Sequence, residues 1–303
     1  MILQIQGSLI YLRKEVEWGG DVMGEIKENI IRPKQPYFVM TTSHYYKAVI
    51  MNYGISHFYC FQKDDIIERP FIAVPDGCID ILFCCDDKAP YANVCGTVLR
   101  PTLTHNSENK YFFGVRFLPG SPFKLKDITM SDLVEQEIPF LEVIKDNELF
   151  EKITSSRDFN YQIQVFLERY IKLYANFKEI NKYKDLKKYM LNNIMQTAGK
   201  IKINELAEAT GYSVRYINKT FSQEFGLSPK VFCKLMRFQY LLSTLNELDK
   251  DMFESNLAQI SMDLGYYDQS HMIKDFHEFT NTTPKMYVKS LKEIEYKKRI
   301  III

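Results

Sequence analysis

The chain has no run of 18 or more apolar residues, so no transmembrane helix is expected. Its N-terminus has no basic start leading into an apolar core, because Arg13, Lys14, Glu15 and Glu17 interrupt early. A secretory leader is therefore not expected, and a cytoplasmic location follows. The six cysteines include no Cys-x-x-Cys, although Cys60, Cys78, Cys84, Cys85 and Cys95 crowd one short region. Their neighbours are strand-like, as in Ile79-Asp80-Ile81-Leu82-Phe83-Cys84. The plain reading is buried, reduced structural thiols, and the sharper alternative is cysteine-based redox or metal sensing. His44, His57 and His105 are scattered without metal spacing or a nucleophile beside them, so catalysis, a metal and a cofactor have no sequence support.

Strong net charge is also missing: 39 Lys+Arg meet 38 Asp+Glu, for +1 overall. The total hides an asymmetry. Residues 182–303 carry 19 basic against 14 acidic side chains (+5), and residues 1–181 carry 20 against 24 (−4). The positive excess sits where a polyanion partner would need it. The length of 303 residues allows two domains with real cores. An apolar content of 46% and a charged content of 25% are those of an ordinary soluble protein.

Residues 1–36 are mixed, with a turn expected at Trp18-Gly19-Gly20. From about 37 to 120 the texture is strands and turns. Phe71-Ile72-Ala73-Val74 stops at Pro75-Asp76-Gly77, and Tyr111-Phe112-Phe113-Gly114-Val115-Arg116-Phe117 ends at Leu118-Pro119-Gly120. Aromatic and β-branched runs punctuated this way predict antiparallel strands in a small sandwich or barrel. Further on, Ile163, Phe166, Leu167, Tyr170, Ile171 and Tyr174 recur at helical spacing. That stripe suits packing on its own sheet, with self-association as the alternative. The lysine-rich piece Lys178 to Lys188 marks the expected domain boundary.

The C-terminal region repeats itself. Ile203, Leu206 and Ala207 lead to Gly211-Tyr212, a second helical segment, and Phe225-Gly226. Leu257, Ile260 and Leu264 lead to Gly265-Tyr266, then Lys274, Phe276 and Phe279. Gly211 to Phe225 and Gly265 to Phe279 have equal spacing. Each copy reads as a helix ended by glycine, a turn, and a second amphipathic helix, the helix-turn-helix pattern. Between the copies Val231, Phe232, Leu235, Phe238, Leu242 and Leu245 form a helix starting at Pro229. One such helix would hold both recognition helices on one side, for successive major-groove segments about 34 Å apart.

The segment Gly211-Tyr212-Ser213…Lys219…Phe221…Phe225-Gly226-Leu227-Ser228-Pro229, with Ile260…Gly265-Tyr266…Gln269-Ser270-His271…Lys274…Phe276…Phe279…Thr283-Pro284, resembles the DNA-binding domain of AraC/XylS-type bacterial transcription regulators. The first hairpin departs from that pattern at Val214-Arg215. Val74-Pro75-Asp76-Gly77-Cys78-Ile79-Asp80-Ile81-Leu82-Phe83, Gly96…Arg100-Pro101 and Gly114-Val115-Arg116-Phe117-Leu118-Pro119-Gly120 are similar to the sensor-side domain of one branch, whose ligand is generally unassigned. The resemblance implies an α+β chain: an extension over 1–36, a β-rich sensor or dimerisation domain with trailing helices over 37–177, an all-α double helix-turn-helix domain over 185–292, and a tail over 293–303. The four isoleucines from Ile300 to Ile303 either pack on the domain or fray.

The resemblance places Arg215, Asn218 and Lys219 of the first recognition helix against DNA, with Gln269, Ser270, Ile273 and Lys274 of the second and His271 beside them. The chemistry agrees, since Arg and Lys pair with guanine, Gln and Asn with adenine, and Ile packs on a thymine methyl. The bland alternative for each is a solvated helix surface. Tyr212, Tyr266, Phe221 and Phe276 are expected in the core. Lys200, Lys202 and Lys230 are phosphate contacts or unengaged lysines. Asp76, Asp80 and Arg116 form either a site for an acidic effector or an internal Arg–Asp pair with turn chemistry.

The function implied is a sequence-specific regulator that is not an enzyme, activation being the commoner mode in that family. Its implied partners are duplex DNA, an unassigned small-molecule effector, a second copy of the chain and, for an activator, RNA polymerase. No membrane partner is implied. A DNA-repair alkyl-transfer enzyme with a reactive cysteine, and a constitutive DNA-binding protein with a protein-binding N-terminal domain, are the competing readings.

Overall fold

The computed structural model describes residues 2–5, 8–11, 32–50, 53–62, 71–104, 110–120, 128–177, 184–248 and 253–303. The expected Trp18-Gly19-Gly20 turn, His105 and residues 178–183 of the expected boundary lie outside them.

The N-terminal half is β-rich. A hairpin of β1 (Ile2–Ile5) and β2 (Ser8–Tyr11) precedes α1 (Pro36–Met40). Then come β3 (Tyr45–Val49), β4 (Ile55–Gln62), β5 (Ile72–Ala73), β6 (Asp80–Cys84), β7 (Tyr91–Cys95), β8 (Thr102–Leu103) and β9 (Tyr111–Phe117). Short α2 (Met130–Leu133), β10 (Glu137–Pro139) and α3 (Phe140–Val143) lead to α4 (Asn147–Thr154) and α5 (Phe159–Phe177). The C-terminal half is helical: α6 (Lys184–Gln196), α7 (Ile203–Thr210), α8 (Val214–Phe225), α9 (Pro229–Glu247), α10 (Phe253–Asp263), α11 (Gln269–Thr280), α12 (Pro284–Glu293) and α13 (Tyr296–Arg299). It ends in a last strand, β11 (Ile300–Ile302).

Seven strands form one sheet in the order β10-β7-β6-β9-β4-β3-β11, and β5 pairs with β8 separately. Side-chain alternation gives the large sheet two apolar faces. On one face Phe58, Ile81, Phe83, Phe113 and Val115 pack with Phe140, Ile153, Ile163, Phe166 and Leu167 of the trailing helices. The α5 stripe from Ile163 to Ile171 therefore serves its own sheet, the first of its two expected roles, while the side chain of Tyr174 lies outside the described residues. On the other face Tyr45, Tyr59, Phe61, Cys84 and Phe112 join α1 and the C-terminal helices in one continuous core. The layers on both faces are thus mainly helical.

The isoleucine tail packs rather than frays. β11 lies parallel to β3, Ile301 facing Tyr46, at the edge of the N-terminal sheet. Arg299 fastens it, donating through Nη1 to the carbonyls of Met40 and Thr42 at 3.0 and 2.9 Å.

Candidate nucleic-acid interface

In the first helix-turn-helix, α7 ends at Gly211, whose φ of 73° is open to glycine at little cost. Ser213 then caps α8, its side chain accepting the Tyr216 N–H at 3.2 Å. In the second, the N–H of Gly265 donates to Met262 O at 2.9 Å and that of Tyr266 to Ser261 O at 3.0 Å, a Schellman closure of α10. Asp268 caps α11, accepting the His271 N–H at 2.7 Å.

Each recognition helix buries one stripe. Ile217, Phe221 and Phe225 line α8, and Met272, Phe276 and Phe279 line α11. Both rest on α9. Phe232 meets Phe221 and Phe225 with ring centroids 5.4 and 6.4 Å apart, and Phe238 meets Phe276 and Phe279 at 5.9 and 4.8 Å. The two anchor points are six residues apart, roughly 9 Å along one helix. Lys234, between them, ties α11 from behind through Glu278 at 2.9 Å and Asp275 at 3.4 Å. Val231, placed in the apolar stripe of α9 by its spacing, is instead 37% exposed.

The caps refine the repeat. The glycines lie 54 residues apart, but Ser213 and Asp268 lie 55 apart, so the second turn is one residue longer. In the helices the true counterparts are Arg215 and Ser270, Tyr216 and His271, Lys219 and Lys274.

Arg215, Lys219, Gln269, Ser270, His271 and Lys274 are exposed on these two helices. Asn218 and Ile273 are half-buried. The Asn218 amide donates to Val214 O at 2.9 Å, and Ile273 packs against the core. His271 sits 3.8 Å from Asp275 with its ring edge-on to Tyr266. Lys200 donates to Asp263 O at 3.1 Å, over the end of α10, and Lys202 caps α7 with Glu205. Lys230 is exposed.

Tyr266, Phe221 and Phe276 are in the core, but Tyr212 is not. It is 47% exposed and stacks on Tyr216, also 47% exposed, with centroids 4.8 Å apart. The shorter first turn puts Tyr212 directly before the cap, where the chain faces outward. Tyr216 was not singled out in the sequence, because its neighbours Arg215 and Ile217 carry the obvious polar and apolar signals.

In the N-terminal domain, the structure brings Asp76, Asp80 and Arg116 together. Arg116 is 3% exposed, with Nη1 3.2 Å from Asp76 and Nη2 2.8 Å from Asp80. Tyr59 Oη donates to Asp80 at 3.0 Å, and Gln35 Nε2 donates to Asp76 at 2.8 Å. This is the internal ion-pair arrangement. Burial works against the Arg116 charge, but the two carboxylates hold its pKa well above the ordinary value.

The thiols are the reverse of activated. Burial pushes Cys60 and Cys85 up to about 12, and Cys78 and Cys95 well above the ordinary thiol range. Such groups carry little thiolate near neutrality. Among the described residues no three His, Cys, Asp or Glu converge to hold a metal, and no helix is long and apolar enough to cross a membrane.

Residues 206–290 match a family model described as a helix-turn-helix domain, and residues 51–139 match a domain of unknown function (DUF6597). No curated protein matches the chain. Similar solved structures include ToxT from Vibrio cholerae (13% identity, 77% of this chain and 97% of that one, TM-score 0.39). The C-terminal domain of AraT, a response regulator from Geobacillus stearothermophilus, is another (17% identity, 36% and 88%, TM-score 0.32).

Proposed function

We propose, from the AraC-type helix-turn-helix domain carried by the C-terminal region, that this chain is a sequence-specific DNA-binding regulator of transcription. The observation that carries the reading is the pair of capped recognition helices α8 and α11, both resting on α9 with polar and cationic faces exposed. Arg215, Lys219, Gln269, Ser270 and Lys274 are the side chains free to reach bases and phosphates. Asn218, His271 and Ile273, each engaged within its own domain, shape that surface and contact DNA secondarily. Activation is the commoner mode among the regulators this chain resembles, and as an activator it takes RNA polymerase as a second partner, while the sheet domain is the body through which an effector or a second copy acts.

Selection of genomic fragments bound by the purified full chain, followed by sequencing, tests this reading. A recurring sequence that Lys274→Ala and Gln269→Ala bind more weakly supports it. Absence of any enriched sequence overturns it, and unchanged affinity of both variants on an enriched site overturns the assignment of α11 as a recognition helix. A reporter fused to the gene beside the site then gives the sign of regulation.

A further inference from the structure

We propose that Tyr212 and Tyr267 are matched DNA-backbone contacts that set how the two recognition helices enter the groove. The inference rests on the DNA-binding reading above and adds residues to it.

The 55-residue offset fixed by the caps makes Tyr212 and Tyr267 equivalent, each immediately before the cap residue of its recognition helix. Both face outward: Tyr212 is 47% exposed and Tyr267 92%. That is costly surface for a large aromatic, and it occurs at the same place twice. The adjacent residue explains why Tyr267 points away from the core. Tyr266 is buried, with the Arg237 guanidinium 5.3 Å from its ring centroid, so the next side chain turns the other way.

Each tyrosine directly precedes the helix that carries a proposed reading face. Residues three, four and seven positions apart share one side of a helix. On α8 Arg215, Tyr216 and Lys219 thus form one stripe, opposite the buried Ile217, Phe221 and Phe225. The observed stacking of Tyr212 on Tyr216 places its ring on that stripe. On α11 Ser270, His271 and Lys274 form the equivalent stripe, opposite Met272, Phe276 and Phe279, and Tyr267 stands exposed directly before the cap that starts it.

The N-terminal end of a recognition helix is the part that meets base edges, so a residue just before it lies beside the phosphates flanking the groove. A phenolic hydroxyl there donates to a phosphate oxygen and the ring packs on the sugar. Such contacts position a protein without reading sequence. They also carry no charge, which separates them from the lysines.

The test uses the full chain with Tyr212→Phe and Tyr267→Phe, which keep the rings and remove only the hydroxyls. Affinity is measured on a selected duplex and on a random duplex of equal length, across a range of salt. Each variant is expected to lose about 2- to 10-fold on both duplexes alike, the worth of one hydrogen bond. The slope of log affinity against log salt stays unchanged, since no cation is removed. Lys274→Ala, run beside them, should lower that slope. If both tyrosine variants bind like the parent while Lys274→Ala binds more weakly, the tyrosine assignment is overturned and the DNA-binding reading stands. If the parent binds neither duplex, both readings fall together.

Discussion

The side-chain oxygen of Gln239 accepts the backbone N–H of Lys34 at 2.7 Å, joining positions 205 residues apart. Its nitrogen donates to Pro75 O at 2.8 Å and to Lys34 O at 3.4 Å. Gln239 is completely buried, midway along the helix that carries both recognition helices. Nearby, Phe232 and Met236 lie so close under Gly77 that a β-carbon there would come within 3.1 Å of Met236 Cε. The gripping loop also carries Asp76, which meets Gln35 and Arg116 behind it. The linker helix is therefore docked on the N-terminal domain by an amide with a defined register, which apolar packing alone would not impose.

Gln239→Leu removes that register. The buried carbonyl of Pro75 and the half-buried N–H of Lys34 then lose their partner, at a cost of about 1–3 kcal/mol. Urea unfolding of the full chain should show a lower midpoint with little change in slope. A midpoint equal to that of the parent would mean that the amide contributes nothing to the docking.

The same residue marks the limit of what the sequence discloses. Periodicity, glycine stops and the early-helix Pro229 locate α7 to α11, because those signals are local and the helix-turn-helix ones repeat. The strands around Pro75-Asp76-Gly77 are legible for the same reason. Gln239 appears as an ordinary surface position, since its partners lie in another domain and are backbone atoms. Tyr212 is misplaced because glycine spacing aligns it with buried Tyr266, whereas the longer second turn makes exposed Tyr267 its counterpart. The isoleucine tail has no local signal at all: its partner strand begins 255 residues earlier.

His57 gives the fold a pH dependence of predictable sign. It is buried, and burial lowers its pKa well below 6.5, aided by the charges of Lys47, Arg116 and Arg32. Folded His57 thus stays neutral where the unfolded chain takes up a proton. Its contribution is complete above the unfolded pKa of about 6.5 and is lost as pH falls below it, by at most about 1.4 kcal/mol per pH unit. Urea midpoints of the parent and of His57→Gln, taken between pH 5 and 7.5, should diverge in slope, with the variant flatter. Parallel curves would exclude His57 as the source.

Deleting residues 300–303 should loosen the junction between the domains. The deletion strips β11 from β3 and removes the bond from the Ile303 N–H to Lys47 O at 3.0 Å. An exposed strand edge exchanges its amides faster and invites pairing with other chains. Hydrogen exchange should rise in Tyr45–Val49 while α7 to α11 remain protected. Arg299→Ala should reproduce part of the effect, because the carbonyls of Met40 and Thr42 lose their donor. Unaltered protection of β3 in both variants would show that the tail pairing adds no stability.

Lys219 and Lys274 occupy equivalent exposed positions on α8 and α11, and their loss should be felt as charge rather than as sequence preference. Each cation that meets a phosphate releases a counterion, so removing it should reduce the salt slope by about one. Lys219→Ala and Lys274→Ala should therefore each weaken binding to selected and random duplexes by similar factors, and the double variant should lower the slope by about two. Gln269→Ala should do the opposite. It carries no charge, so the slope should hold, while discrimination at one base pair falls by about 1–3 kcal/mol. Titrations in a salt series separate the cases. Equal slopes for the parent and the double lysine variant would remove both lysines from the phosphate-contacting surface. A Gln269→Ala loss that is uniform across sequences would make Gln269 a positioning residue instead of a reader.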